Sequence, residues 1–278
     1  MQGYLRKMQT RLDKPVQYEL LLSKTTVSIN TMIGKTIKLN YTGRIACVHC
    51  GRVTKKSFNQ GYCYPCFSSL AQCDMCIMKP ETCHFEKGTC REPDWGQSYC
   101  MQPHFVYLAN SSGIKVGITR QNQIPTRWID QGAVQALPIF KAQSRHISGL
   151  IEVAIAKHIS DKTSWQQMLK NNVTTIDLIS KRNELAETCK QELAAITGRF
   201  GVDAIEYLQN EQALEIHYPV SRYPDKVKSF NLDANPVVSG MLEGIKGQYL
   251  LLDSGVINLR KYSGYELELS VLDKADVL

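Results

Sequence analysis

Nine of the ten cysteines fall between Cys47 and Cys100, and their spacing is the strongest chemical signal in the chain. Cys47-x-x-Cys50 is followed, twelve residues on, by Cys63-x-x-Cys66. A CxxC turn sets two thiolates on one side of a tight backbone loop, so two such turns supply the four sulfurs of a tetrahedral metal centre. The contexts "CVHCGR" and "CYPCF" have the short polar and glycine character of zinc-ribbon knuckles. Zinc bound by thiolates supplies about 10–16 kcal/mol of apparent binding energy, enough to fold a small module without a core. Four protein ligands leave no open position, which predicts a structural ion. His49, inside the first knuckle, is a minor alternative ligand.

A second cluster follows, and Cys73, Cys76, Cys83 and Cys90 are its preferred ligands. Cys100 could replace either of the last two, and His84 and His104 lie alongside. One or two structural zinc ions are therefore expected. Four thiolates also suit an iron–sulfur cluster, which leaves an iron–sulfur or redox-sensing protein as an alternative. No secretory segment is read, so metal binding outranks disulfides. No apolar run reaches the roughly 18 residues that would span a bilayer. A cytoplasmic protein without a membrane partner is expected.

The charge points the same way as the cysteines. Residues 1–72 hold eleven Lys and Arg against Asp13 and Glu19, although the whole chain carries only +7. Such a basic quarter predicts an anionic partner, with RNA or DNA the usual one. Arg44, Arg52, Lys55 and Lys56 surround the first knuckle, interleaved with Phe58, Tyr62, Tyr64 and Phe67. Cations among aromatics suit phosphate contact with base stacking, although Tyr62 and Phe67 also suit a small zinc-centred core.

The third chemical stretch is "FVYLANSSGIKVGITR" (105–120), two short strands about a polar turn. A two-residue turn on Ser111-Ser112 places Tyr107 opposite Val116, and a three-residue loop over 110–112 places it opposite Lys115. Gly117 permits close approach by a backbone or a ligand. Lys115 and Arg120 are candidate phosphate contacts. Glu152 sits in "GLIEVAIAKHI", where an inward carboxylate is costly unless paired or metal-bound. Arg127 could hold phosphate or pair with Asp130.

"VYL…KVGIT", with Arg127 and then Glu152 one helix later, resembles the GIY-YIG endonuclease domain, a small three-stranded sheet flanked by helices. The resemblance covers about 60 residues (105–165). It implies Tyr107, Arg127 and Glu152 as catalytic residues, with Mg²⁺ or Mn²⁺ at Glu152 and Arg127 neutralising phosphate. It also implies the register that sets Lys115, which stands where a second tyrosine is usual, beside Tyr107. Nearly the whole chain resembles the family called domain of unknown function 2797. That match rests on "CVHCGR", "QGYCYPCF", "CDMCIMKPETCH", "GTCREPDWG" and "GIKGQYLLLDSGVINLRKYSGY". This second resemblance implies no activity.

These groups need elements to hold them, and the pattern predicts an α+β protein. Residues 1–46 form a β-rich segment, with strands in "VQYELLL" and "TIKLNYTGRIA". Residues 47–104 form a zinc-ribbon-like module, 105–200 a GIY-YIG-like domain, and 201–278 a β-rich tail. The tail includes the hairpin candidate "LDSGVI" and strands in "ALEIHYPV" and "YELELSV". The two β-rich ends are candidates for one shared sheet. A helix is predicted over 148–160 with Ser148 as N-cap, and another over 174–197 ending at Gly198. Leu178, Leu185, Cys189, Leu193 and Ile196 mark the second helix's apolar face. The leading expectation is a zinc-containing nucleic-acid-binding protein, with phosphodiester hydrolysis or binding alone as its two forms.

Overall fold

The strand Thr36–Ala46 buries Ile37 and Leu39 and turns Lys38 outward, as period-two alternation requires. In the computed structural model, which describes residues 1–159 and 164–272, this strand lies inside a seven-stranded sheet. Tyr265–Leu272 pairs along one side of it and Val237–Lys246 along the other, both antiparallel. Gln2–Tyr4 adds beyond Tyr265–Leu272. Tyr249–Leu252 and Gly255–Asn258 extend the opposite side through the hairpin at Asp253-Ser254. The two β-rich ends of the chain thus share one sheet, and the fold is mixed α+β. "ALEIHYPV" contributes only the two-residue strand Leu214–Glu215.

His104–Asn110 and Ile114–Arg120 form a hairpin in a second sheet, beside Gln135–Ala142 and Ile205–Tyr207. This sheet is covered on both faces. Val106 and Leu108 pack with Ile151 and Ile155 of the helix Arg145–Ala156 and with Leu185 of the helix Leu178–Thr188. Tyr107 and Ala109 point the other way and join a core that runs from Leu5 to Leu269 in the large sheet. One strand therefore reaches both cores, and Tyr107 lies on the side of the large sheet.

Both ends of both predicted helices differ from expectation. The first helix begins at Arg145, because Ser144 Oγ accepts the Ile147 N–H at 3.3 Å. Ser148 lies within the helix instead, buried, its hydroxyl donating to the Arg145 carbonyl. The predicted end at residue 160 lies outside the described residues; the helix itself closes at Ala156. The second begins at Leu178, capped by Asp177 Oδ1, which accepts from Ile179 and Ser180. It loosens at Cys189, yet the hydrogen bonds Cys189 N–H to Leu185 O and Leu193 N–H to Cys189 O carry the chain on into Lys190–Phe200. Gly201, not Gly198, ends it, and Cys189 is buried in the apolar core as its stripe implied.

Candidate functional site

The hairpin loop is Ser111 to Gly113, so Asn110 pairs with Ile114 and Tyr107 with Gly117. Neither expected register is adopted. Two contacts explain the shift. Asn110 stays in the strand because its side-chain amide donates to Gln135 Oε1 (3.0 Å) and to the Thr174 carbonyl (2.8 Å). Tyr107 then folds its ring over Gly117, where a Cβ would stand 2.7 Å from the hydroxyl oxygen. Lys115 faces Ala109, two residues along from Tyr107 and on the same side of the sheet.

Tyr107 is fully buried, its hydroxyl donating to Gln131 Oε1 at 3.0 Å and its ring set edge-on to Trp128. Burial pushes its pKa up, against the Arg127 guanidinium nearby and the Gln131 bond. Arg127 sits in the short helix Thr126–Asp130 and is exposed. Asp130 does not take it: that carboxylate pairs with Lys7 and accepts from Gln248 Nε2 at 2.8 Å. Among the described residues no carboxylate lies within ion-pair distance of Arg127.

Glu152 projects half-buried from the helix Arg145–Ala156. Burial pushes its pKa up to about 7, with Arg145 and then Arg127 opposing that rise. Tyr107, Arg127 and Glu152 therefore lie within one another's electrostatic reach. Two further residues belong to this group and were not anticipated. Gln131 stands four residues after Arg127 and Arg145 seven before Glu152, helical spacings that could have marked them. Arg145 Nη2 donates to the Ile77 carbonyl at 2.7 Å, and its buried Nε has no acceptor among the described residues. Arg260, from the large sheet's 3₁₀ turn, also lies close enough for its charge to act on Arg127 and Asp130.

The predicted nucleic-acid contacts divide into two places. Arg44, Arg52, Lys55 and Lys56 are exposed around the first pair of knuckles. Lys56 lies over the Phe58 ring at 5.4 Å, Phe58 stacks on Phe67, and Tyr64 is 61% exposed. Lys115 and Arg120 are half-buried on the hairpin, and Arg120 lies over the Tyr99 ring at 4.6 Å.

The sulfurs of Cys47, Cys50, Cys63 and Cys66 all lie within 4.8 Å of one another, and Cys50 and Cys63 are 3.7 Å apart. Four cysteines so placed could hold a metal ion such as zinc. Burial alone would raise the Cys47 thiol, but hydrogen bonds from the backbone of Cys50, Cys63 and His49 bring it down to about 6. Cys66 is driven the other way, first by burial and then by its three sulfur neighbours. One thiolate in the set thus makes a second costly until a cation arrives.

The remaining cysteines are arranged differently from the expected set. Cys76, Cys83, Cys90 and Cys100 line one cavity of about 20 Å³. Cys73 is not among its walls; the side chain lies by Asn59, within the fields of Arg91 and Cys47. His84 borders the cavity, bonded through Nδ1 to Thr89 Oγ1. His104 does not, and burial pushes its pKa down to about 4. The cysteine-rich segment docks on the helix Arg145–Ala156 at Gly149, where a Cβ would stand 2.5 Å from that of Pro80. The start of that helix lies beside the cavity, the Arg145 N–H donating to the Cys100 carbonyl at 2.8 Å, and Glu152 stands two turns further on.

A family model described as a protein of unknown function, DUF2797, matches residues 34–267. No curated protein and no solved structure matches.

Proposed function

The chain belongs to the DUF2797 family, and we propose that it is a nucleic-acid-binding protein that holds zinc at Cys47, Cys50, Cys63 and Cys66. The zinc fit rests on distance. Bonds of about 2.3 Å in a tetrahedron put sulfurs about 3.8 Å apart, and Cys50 to Cys63 measures 3.7 Å. The observation that carries nucleic-acid binding is the surface around those sulfurs. A module held by metal has no folding reason to bare Tyr64 at 61% exposure beside Phe58, with Arg52, Lys55 and Lys56 exposed around it. Nucleotides supply both missing partners, a base for the ring and phosphates for the cations. Arg127, exposed and without an ion-paired carboxylate among the described residues, adds a phosphate contact on the hairpin side.

The test is a salt titration of binding to labelled single-stranded RNA and DNA. Affinity should fall with salt at a slope of roughly −0.7 per phosphate contact. Replacing Lys55 and Lys56 by Ala should flatten that slope. Tyr64→Ala should cost about 1–3 kcal/mol while leaving the slope in place, because stacking carries no counterion release. Binding that ignores both salt and these substitutions would sink the proposal.

The convergence of Tyr107, Arg127 and Glu152 favours hydrolysis as a second reading. Glu152 would supply a carboxylate to hold Mg²⁺ or Mn²⁺. Held there, the ion would supply Lewis-acid polarisation of a phosphoryl oxygen. Arg127 would hold the developing charge. Tyr107, fully buried, would act by placing Arg127 and not by touching water. Removing one such donor typically costs about 10²–10³ in rate, so Arg127→Ala should slow Mg²⁺-dependent cleavage by that factor and Glu152→Gln should abolish it. Cleavage unaffected by either change would exclude this site.

A further inference from the structure

We infer that the cavity between Cys76, Cys83, Cys90 and Cys100 holds a four-iron, four-sulfide cluster, one thiolate to each iron. Each of the four cysteines comes from a separate turn. Cys76 lies in the helix Met75–Met78, Cys83 follows the turn Pro80–Thr82, Cys90 follows Phe85–Lys87, and Cys100 caps the helix Pro93–Tyr99. Four separate turns aimed at one void is how a chain surrounds an object; two CxxC loops closing on a point is how it holds a single ion.

The contrast with the first site decides the class of ligand. There, four sulfurs sit within 4.8 Å of one another. The four sulfurs around the second cavity do not close to that distance; the tight group at that end is Asp74, Cys76 and His84. One zinc ion needs every sulfur pair near about 3.8 Å. A cluster gives each thiolate its own iron, so the ligand sulfurs stay farther apart and a void must remain between them.

The competing three-residue group is already in use. Asp74 Oδ2 meets Arg91 Nε at 2.6 Å, and Asp74 Oδ1 accepts the Cys76 N–H. His84 Nδ1 is bonded to Thr89. A zinc ion on Asp74, Cys76 and His84 would have to compete with Arg91 for the carboxylate. The cavity's other walls include Phe85, Trp95 and Ala71, the apolar shell that limits solvent access to a cluster. Arg91 lines it too, and Arg145 lies near enough for its charge to act on Cys100 and Cys76. Both would balance the negative charge that four thiolates bring, as four thiols release their protons to bind. This inference stands apart from nucleic-acid binding and uses none of its residues.

The full chain, purified without oxygen, should be brown and yield about four iron and four acid-labile sulfide besides one zinc. Cys100→Ser should lose colour and most of the iron, and Cys73→Ser should keep both. The single zinc retained by each variant reports that the knuckles remain folded. A colourless protein with two zinc, or one that takes up no iron after anaerobic incubation with ferrous iron and sulfide, would overturn the inference. So would iron that survives Cys100→Ser but not Cys73→Ser.

Discussion

At Gly117 a ring and a backbone compete for one space. The Tyr107 side chain is fully buried and lies where a methyl group on residue 117 would stand, 2.7 Å from its oxygen and 2.8 Å from its Cζ. Neither ring nor strand can retreat, because Tyr107 is bonded to Gln131 and packed on Trp128. Gly117→Ala should therefore destabilise the protein by about 1–3 kcal/mol, the usual cost of overfilling a packed interior. Urea unfolding checks it, and a change within a few tenths would show that the ring is free to move. The sequence made Gly117 legible as a point of close approach, but not what approaches it. The register depended on Asn110, whose amide bonds to Gln135 and Thr174, partners that no local pattern around the turn contains. Tyr107, Arg127 and Glu152 were legible as a motif. Gln131 and Arg145, which complete the group, were visible only as helical spacings.

Among elements, the helix Arg145–Ala156 has the most to hold in place. Its first residue lies at the cysteine cavity, its fifth packs on Pro80, and its eighth is Glu152. Its start is set by Ser144, whose oxygen satisfies the Ile147 N–H. Ser144→Ala should cost about 0.5–2 kcal/mol as other N-cap losses do, and hydrogen exchange should speed first at Ile147. An equal loss from Ser148→Ala, with no change at Ile147, would place the cap where the sequence pattern first suggested it. That pattern erred because it started the helix at the apolar run after Ser148, whereas Ser144 is followed by Arg145 and His146, which hide the true start. Strands were more legible than helix ends. Thr36–Ala46 and Tyr265–Leu272 declare themselves by alternation and β-branching, and burial on a sheet face preserves that pattern.

Over the whole molecule, half-buried Glu152 and buried Lys246 shape stability in opposite senses. Glu152 has its folded pKa raised to about 7 from 4.5, so between those values the folded state binds more protons than the unfolded chain. Its contribution falls as pH rises through that window. Lys246, at the end of the large sheet's strand Val237–Lys246, is fully buried, and burial lowers its pKa to about 7 from 10.5. Its ammonium donates to Asn171 Oδ1 at 2.7 Å and faces the Tyr218 and Tyr223 rings, contacts that offset part of that burial cost. Between 7 and 10.5 the unfolded chain binds the extra proton, so this contribution rises with pH and is lost as pH falls to about 7. Taken alone the two groups would put a minimum in stability near neutrality, but buried His104, lowered to about 4 from 6.5, adds a rise with pH across the acid window that offsets the fall from Glu152. Without added divalent ions, Glu152→Gln should gain stability over wild type as pH rises from about 4.5 to 7, and Lys246→Met should remove the rise on the alkaline side. The two should add, since they share no contact. Denaturant midpoints measured across pH for the wild type, each variant and the pair decide this. A Lys246→Met curve parallel to wild type above neutrality would mean that the lysine keeps its proton when folded, held by its two aromatic faces.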